Sequence, residues 1–511
     1  MTIEGVSGRT SYLGTSLINI RTQLDTLTQQ LASGRKSDTY SGLGMNSAFA
    51  TNLRSQLSLL SGYQNTQSNV TTRINVANLS LQGLIKMRTE VQSAATGSSQ
   101  VLNANGQTAG QQIGYASFTQ AISMLNTQSA DRYLFSGRSI DTPATAKADD
   151  ILNGADGKDG LKAVIDDRLI ADQGTGNMGR LETDATGSAV TVGEDFVDSP
   201  FGLKISRIAT SIAGAVVTQP SVPAPGTPSS ETIDLAAATP KEGDTVTFTF
   251  TLPDQTTETI QLTATSETPP PAGSFNFDAS DPTVTAANMK AALDSSIQTL
   301  VKGPMVAASA MAAGENFFDD PPLRVAGGSP VSPTATALVD GSANTVQWYT
   351  GEKLANPDTD ARGTAVAQVD GAVQVRYGAT ANESAFRNLL QNMAVYAAVT
   401  TTVDPNDPAG QNLANAQISA LNERVNANLA VKAGATSVED IEAQFAGSQA
   451  ATKAASTRQA QTTSMAQTML DQIEGIDDNE VAAKILALQT SLQASYQTTA
   501  SLYQLNLLKF L

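Results

Sequence analysis

All 20 prolines of this 511-residue chain lie between Pro143 and Pro408. Proline fixes φ, lacks an N–H donor and breaks helix interiors. The 142 residues before this window and the 103 after it are therefore free to form long uninterrupted helices. The distribution predicts a fold that is mainly α at both termini, as long coiled-coil helices, with an inserted α+β outer module.

In the N-terminal stretch Leu13, Leu17, Ile20, Leu24, Leu27 and Leu31 follow steps of 4, 3, 4, 3 and 4, the heptad seam of a coiled coil. The seam breaks at Ser33-Gly34, and after the polar stretch RKSDTYSGLG it restarts at Phe49, Leu53, Leu57 and Leu60. Val70, Ile74, Ala77, Leu81 and Leu84 continue it, so one helix of roughly 80 Å is expected from Leu43 to about Ala95, crossing Gly62 and Gly83. A third helix is expected over 107–131, with Gly137 of RYLFSG as a stop.

The C-terminal stretch mirrors this. Ser437 and Asp440 resemble a capping box opening a helix that runs to Glu474, where Gly475 interrupts it. Asp477 and Asp478 are suited to cap a last helix carrying Val481, Ile485, Leu488 and Leu492. Its apolar stripe continues through Leu502, Leu505, Leu507, Leu508 and Phe510 to the final residues. Such a stripe is either an ordinary core face or a seam awaiting a partner helix, and its presence at both ends of the chain favours the seam.

The middle follows strand grammar. Val246, Phe248, Phe250 and Leu252 alternate with threonines, the PDQT turn follows, and Ile260, Leu262 and Ala264 alternate again, which reads as a hairpin. A short helix is expected around Ala286–Leu300, then strands at TVQWYTG (345–351) and VQVRYG (373–378), while QPSVPAPGTPSS (219–230) reads as an exposed loop. Five segments result: an N-terminal coiled-coil arm (1–40), the first part of a helical core (41–140), the α+β outer module (141–380), the second part of the helical core (381–475) and a C-terminal coiled-coil arm (476–511).

Composition narrows the chemistry. The chain has no cysteine and no histidine, which excludes disulfides, thiolate sites, Ser-His-Asp triads and HExxH zinc sites. Its 31 basic and 48 acidic residues give a formal charge of −17, the wrong sign for nucleic acid or an anionic membrane. No apolar run has membrane-spanning length, and Met1–Ser16 lacks the layout of a cleaved signal peptide. GTGNMG (174–179) fits GxGxxG, but a helical pattern precedes it and a strand pattern follows, the reverse of a dinucleotide site, so it reads as a turn. DILNGADGKDG (150–160) lacks the spacing and closing Glu of a calcium loop. No catalytic, cofactor or metal constellation emerges, and the chain is not expected to be an enzyme.

Several stretches carry a resemblance. LTQQLASGRKSD (27–38) resembles the N-terminal helix exit of the flagellin family, and LQASYQTTASLYQLNLLKFL (492–511) resembles its C-terminal helix. RYLFSG and the LQASYQ form are more similar to the family's hook-associated, junction-type members than to its filament subunits, and VRYGATANESAFRNLLQNMAVYAA (375–398) is similar to a segment of such proteins. After SGR the chain departs from the family, with KSDTYSGLGMN in place of a run like INSPSDDP.

The resemblance implies a secreted structural subunit of the bacterial flagellum, joining hook to filament, exported without a cleaved signal peptide. The implied partners are a neighbouring hook-associated protein, flagellin, further copies of the chain in a ring or helical layer, and an export chaperone. Leu13, Leu17, Ile20, Leu24, Leu27, Leu31, Ile485, Leu488, Leu492, Leu502, Leu505 and Leu508 are then the expected assembly interface. Two alternatives stay open: flagellin itself, and a carbohydrate-binding or hydrolase module displayed by the middle.

Overall fold

The computed structural model describes residues 4–97, 99–219, 226–328, 330–401 and 407–507. Helix α1 (Glu4–Ser33) is followed by a 3-10 turn (Tyr40–Asn46) and by α2 (Ser47–Gly97), α3 (Ala109–Leu125), α4 (Ala148–Asn153) and α5 (Leu161–Gln173). Strands β1 (Leu181–Thr186), β2 (Ala189–Glu194), β3 (Lys204–Thr210), β4 (Val216–Thr218), β5 (Ser230–Asp234), β6 (Thr245–Thr251), β7 (Thr257–Thr265) and β8 (Ser274–Asn276) come next. Helices α6 (Pro282–Lys302) and α7 (Pro304–Phe318) lead to the strand pair β9 (Leu323–Val325) and β10 (Leu338–Asp340), the single-turn α8 (Pro357–Asp360), and the pair β11 (Val366–Asp370) and β12 (Val373–Arg376). Helices α9 (Ser384–Ala398), α10 (Pro408–Leu429), α11 (Val438–Glu474) and α12 (Asp478–Leu507) follow.

The chain divides into two compact units, and the division falls inside α2 between Thr71 and Thr72. The first unit takes the chain up to Thr71, Ala367–Val375 and the chain from Gln449 onward; the second takes Thr72–Val366 and Arg376–Ser448.

Helix boundaries in both units follow side-chain chemistry. Ser437 and Asp440 form the expected reciprocal cap: the Ser437 amide donates to the Asp440 carboxylate (2.9 Å) and the Asp440 amide to the Ser437 hydroxyl (3.2 Å). Asp477 accepts from the Asn479 and Glu480 amides at the start of α12. Helix α2 passes Gly62 and Gly83 without interruption. At Gly83 a Cβ would lie 2.3 Å from the Met124 sulfur, so glycine there permits close approach.

In the second unit, strands β6 and β7 form the expected hairpin, with Val246, Phe248, Phe250, Leu262 and Ala264 buried and threonines alternating outward. The hairpin belongs to the sheet β3-β6-β7-β8, beside a second sheet β1-β2-β5-β4. Met289, Leu293 and Ile297 of α6 share a core with both. Helix α9 is buried on nearly all sides and packs against α3, α7 and α10. The 174–179 segment is a turn between α5 and β1, as its flanks suggested.

Two expectations are corrected. The third helix ends at Leu125, not near Asp131, because the Asn126 side chain leaves the helical pattern to bond Thr145 three times, through its oxygen to the amide and its nitrogen to the carbonyl and hydroxyl. TVQWYTG is not a strand: Thr345 and Tyr349 make isolated bridges, while Trp348 turns into an aromatic cluster and donates its indole N–H to the Phe318 carbonyl at 3.0 Å. Of the 219–230 loop, residues 220–225 lie outside the described residues, and Ser230 already opens β5.

Candidate functional site

The expected interface residues lie in the first unit. Helices α1 and α12, from opposite ends of the sequence, pack along each other. Leu13, Leu17, Ile20, Leu24 and Leu27 on α1, and Ile485, Leu488 and Leu492 on α12, are each half-buried. Leu31 is 41% exposed although it continues the heptad. Leu502 and Leu505 lie on α12, and Leu508 and Phe510 fall outside the described residues. Two helices cover only a narrow strip of each other, so a stripe this broad stays half in solvent with one neighbour.

Other apolar side chains on the same pair are mostly exposed. Tyr12 is 77% exposed, Ile18 and Leu486 are each 68% exposed, and Tyr496 is 54% exposed. Single exposed leucines are ordinary on protein surfaces; here four apolar side chains of this size are exposed along one helix pair.

Helices α2 and α11 make the second pair. Ala50 and Leu53 pack with Ala466 and Leu470, flanked by Leu43, Leu57 and Ile473. Further along, buried Gln67 donates to the Val369 carbonyl and to the Gln459 side chain (both 2.7 Å), and Gln459 donates to the same carbonyl (2.9 Å). This ties the β11–β12 turn to both helices, and Val369 and Val375 close over Ala455. A buried polar trio is tolerable because its amides satisfy one another.

Between the two pairs sits a joint that the sequence reading missed. Gly34 adopts a left-handed φ of +69° and ends α1, and Gly475 ends α11, where a Cβ would lie 2.4 Å from the Asp471 carbonyl oxygen. The two reversals are stitched together. The Lys36 amide donates to the Glu474 carbonyl (2.7 Å) and the Ile476 amide to the Gly34 carbonyl (3.3 Å). The Lys36 ammonium reaches the Gln472 and Ile473 carbonyls at 2.9 and 3.1 Å, placing positive charge on the negative end of α11. Arg54 on α2 binds the mostly buried Glu474 carboxylate at 2.6 Å and also bonds and stacks on Tyr40. Tyr40, Met45 and Phe49 beside this joint are 47%, 99% and 51% exposed. The signals in sequence were Gly34 and Gly475 alone, since a pairing across more than 430 residues leaves no local pattern.

The second unit holds the ionisable groups that depart most from their usual values. Asp172 is fully buried and burial pushes its carboxyl up, against Arg168, the Ser309 hydroxyl and the Gly202 amide, which all bond it. Burial pushes the Glu383 carboxyl up to about 7, opposed by the Arg362 guanidinium that pairs with it. A cleft of about 360 Å³ is lined by Arg88, Asp254, Glu315, Arg387, Asn392 and Lys432 among others, but Arg88 is held by Glu439 and Asp254 by Arg424. No group of three or more metal-ligating side chains occurs among the described residues. No described helix is long and apolar enough to cross a membrane.

In comparisons with known proteins, no family model and no curated sequence matches the chain.

Proposed function

We propose that this chain is a structural subunit of the bacterial flagellum that joins hook to filament, assembling through its terminal helices. The observation that carries the reading is the α1–α12 pair. Helices α1 and α12 pack into one pair whose stripe is half-buried and which leaves Tyr12, Ile18, Leu486 and Tyr496 mostly exposed. Such a pair is half of a helical bundle, and further helices of the same kind from neighbouring copies complete it. The joint at Lys36, Arg54 and Glu474 supports the reading, because a pair that receives neighbours must be held at a defined angle and register.

On this reading the chain is secreted to the flagellum outside the cell, held in the export-competent state by a chaperone. It packs against copies of itself in a ring or helical layer, against a neighbouring hook-associated protein, and against flagellin. The coiled-coil character of the terminal packing belongs to this proposal. The test is a chromosomal truncation after Ala500 in the source bacterium. The expected result is a chain that is still made and folded in its strand-rich unit, with filament subunits released into the medium. Retained filaments and normal motility in that strain would overturn the proposal.

A further inference from the structure

The second unit holds a cavity whose wall runs against the charge of the chain. It measures about 240 Å³ and is lined by Arg73, Arg132, Tyr133, Ile140, Tyr377 and Phe445 among others, with no aspartate or glutamate among the described lining residues. The whole chain carries 48 acidic against 31 basic residues. Elsewhere in this unit arginines are neutralised: Arg168 holds Asp172, Arg180 holds Asp195, Arg324 holds Asp159 and Asp167, and Arg424 holds Asp254. Arg73 and Arg132 have no ion-pair partner among the described residues. The Arg73 guanidinium instead donates to the Tyr377 hydroxyl at 3.2 Å.

Separate elements bring these side chains together, and backbone bonds hold those elements in place. Arg73 stands half-buried on the part of α2 that belongs to this unit. Arg132, exposed, lies in the loop after α3, where the Ser129 amide donates to the Arg132 carbonyl and the Tyr133 amide to the Ile140 carbonyl, both at 2.9 Å. Tyr377 follows β12, and its amide donates to the Ala365 carbonyl at 2.9 Å. A guanidinium presents five donors in a planar fork that matches a carboxylate. Two of them on one concave wall concentrate positive potential there. Tyr133, Ile140 and Tyr377, all half-buried, add ring and aliphatic surface that a bare inorganic ion would leave uncovered. The volume falls below the roughly 300–1,000 Å³ of pockets for drug-sized ligands, so the occupant is small.

We propose that this cavity binds a small organic carboxylate, its acid on Arg73 and Arg132 and its apolar body against Tyr133, Ile140 and Tyr377. Such binding is independent of the flagellar role proposed above.

The experiment titrates the folded full-length chain with benzoate, benzamide and inorganic phosphate by isothermal titration calorimetry at low ionic strength. Benzoate should bind saturably, one per chain, and more weakly as salt is added, because salt screens the ion pair. Benzamide has the ring without the charge, and phosphate has the charge without the ring. Each should bind about tenfold or more weakly than benzoate. Arg73→Gln and Arg132→Gln should each weaken benzoate binding about tenfold or more with an unchanged circular dichroism spectrum. Because Arg132 is exposed, its variant tests the site without disturbing the fold. Arg207→Gln, at an exposed arginine of β3 that does not line the cavity, should leave benzoate affinity unchanged. No saturable benzoate binding, or an affinity unchanged in both Arg73→Gln and Arg132→Gln, would overturn the site. Phosphate or benzamide bound as tightly as benzoate would overturn the assignment to an organic carboxylate.

Discussion

Leu486 offers a perturbation whose cost is absent from the lone chain and present in the assembly. Its side chain is 68% exposed on α12. Moving a leucine fully out of water contributes about 1.5–3 kcal/mol, and roughly two-thirds of that, about 1–2 kcal/mol, is still outstanding at this position. Leu486→Ala leaves helix propensity almost unchanged, so the thermal or urea unfolding of the monomer should move by less than about 0.5 kcal/mol. If a neighbouring subunit covers the site, the same change should raise the concentration needed to load isolated hook ends about 5- to 30-fold, since each 1.4 kcal/mol is about a factor of ten. Co-sedimentation of the chain with isolated hooks across a concentration series measures this directly. A Leu486→Ala chain with unchanged stability and unchanged loading concentration would refute the reasoning, because the site would then be in solvent in the assembly too.

Lys36→Met removes the ammonium from the end of α11 but keeps a similar apolar stem. It should cost about 0.5–1 kcal/mol and speed hydrogen exchange at the Lys36 and Ile476 amides, which mass spectrometry would detect; unchanged exchange would mean that the joint is held by its backbone bonds alone. Gly106→Ala forces a side chain into a φ of +71° with its Cβ 2.4 Å from the Thr401 carbonyl oxygen, so urea unfolding of the second unit should weaken by about 1–3 kcal/mol. Glu383 sets a pH dependence: burial, against the opposing Arg362 charge, raises its folded carboxyl to about 7 from an ordinary 4.5. The folded state then binds more protons than the unfolded state between those values, so stability falls as pH rises through that window. Glu383→Gln should flatten the slope between pH 5 and pH 7 in denaturant titrations, and an unchanged slope would assign it to other groups.

What the sequence made legible is what depends on local spacing. The absence of proline left room for α2 and α11, the threonine alternation marked β6 and β7, and the Ser437–Asp440 pair marked a helix start. Local rules also misled where a distant partner intervened. Asn126 belongs to a helical pattern until Thr145 draws its side chain away, and TVQWYTG has strand composition because it fills an aromatic core rather than a ladder. The α1–α12 stripe was legible as periodicity, and its described leucines from Leu13 to Leu27 and from Leu488 to Leu492 stand half-buried. The joint was not legible, since Lys36 meets Gln472 only after the chain has returned from the second unit. Likewise the division inside α2 follows from which distant segments pack on each half of that helix, and no composition change marks Thr71.

The central claim is that the terminal helix pair seats this chain at the end of the hook as a junction. The most direct measurement is electron microscopy of isolated hooks from the source bacterium after incubation with the purified full-length chain. The account predicts a layer of limited length at the distal hook end, lost when Ile18 and Leu486 are both changed to aspartate. Bare hook ends, or long filaments grown from this chain alone, would contradict it.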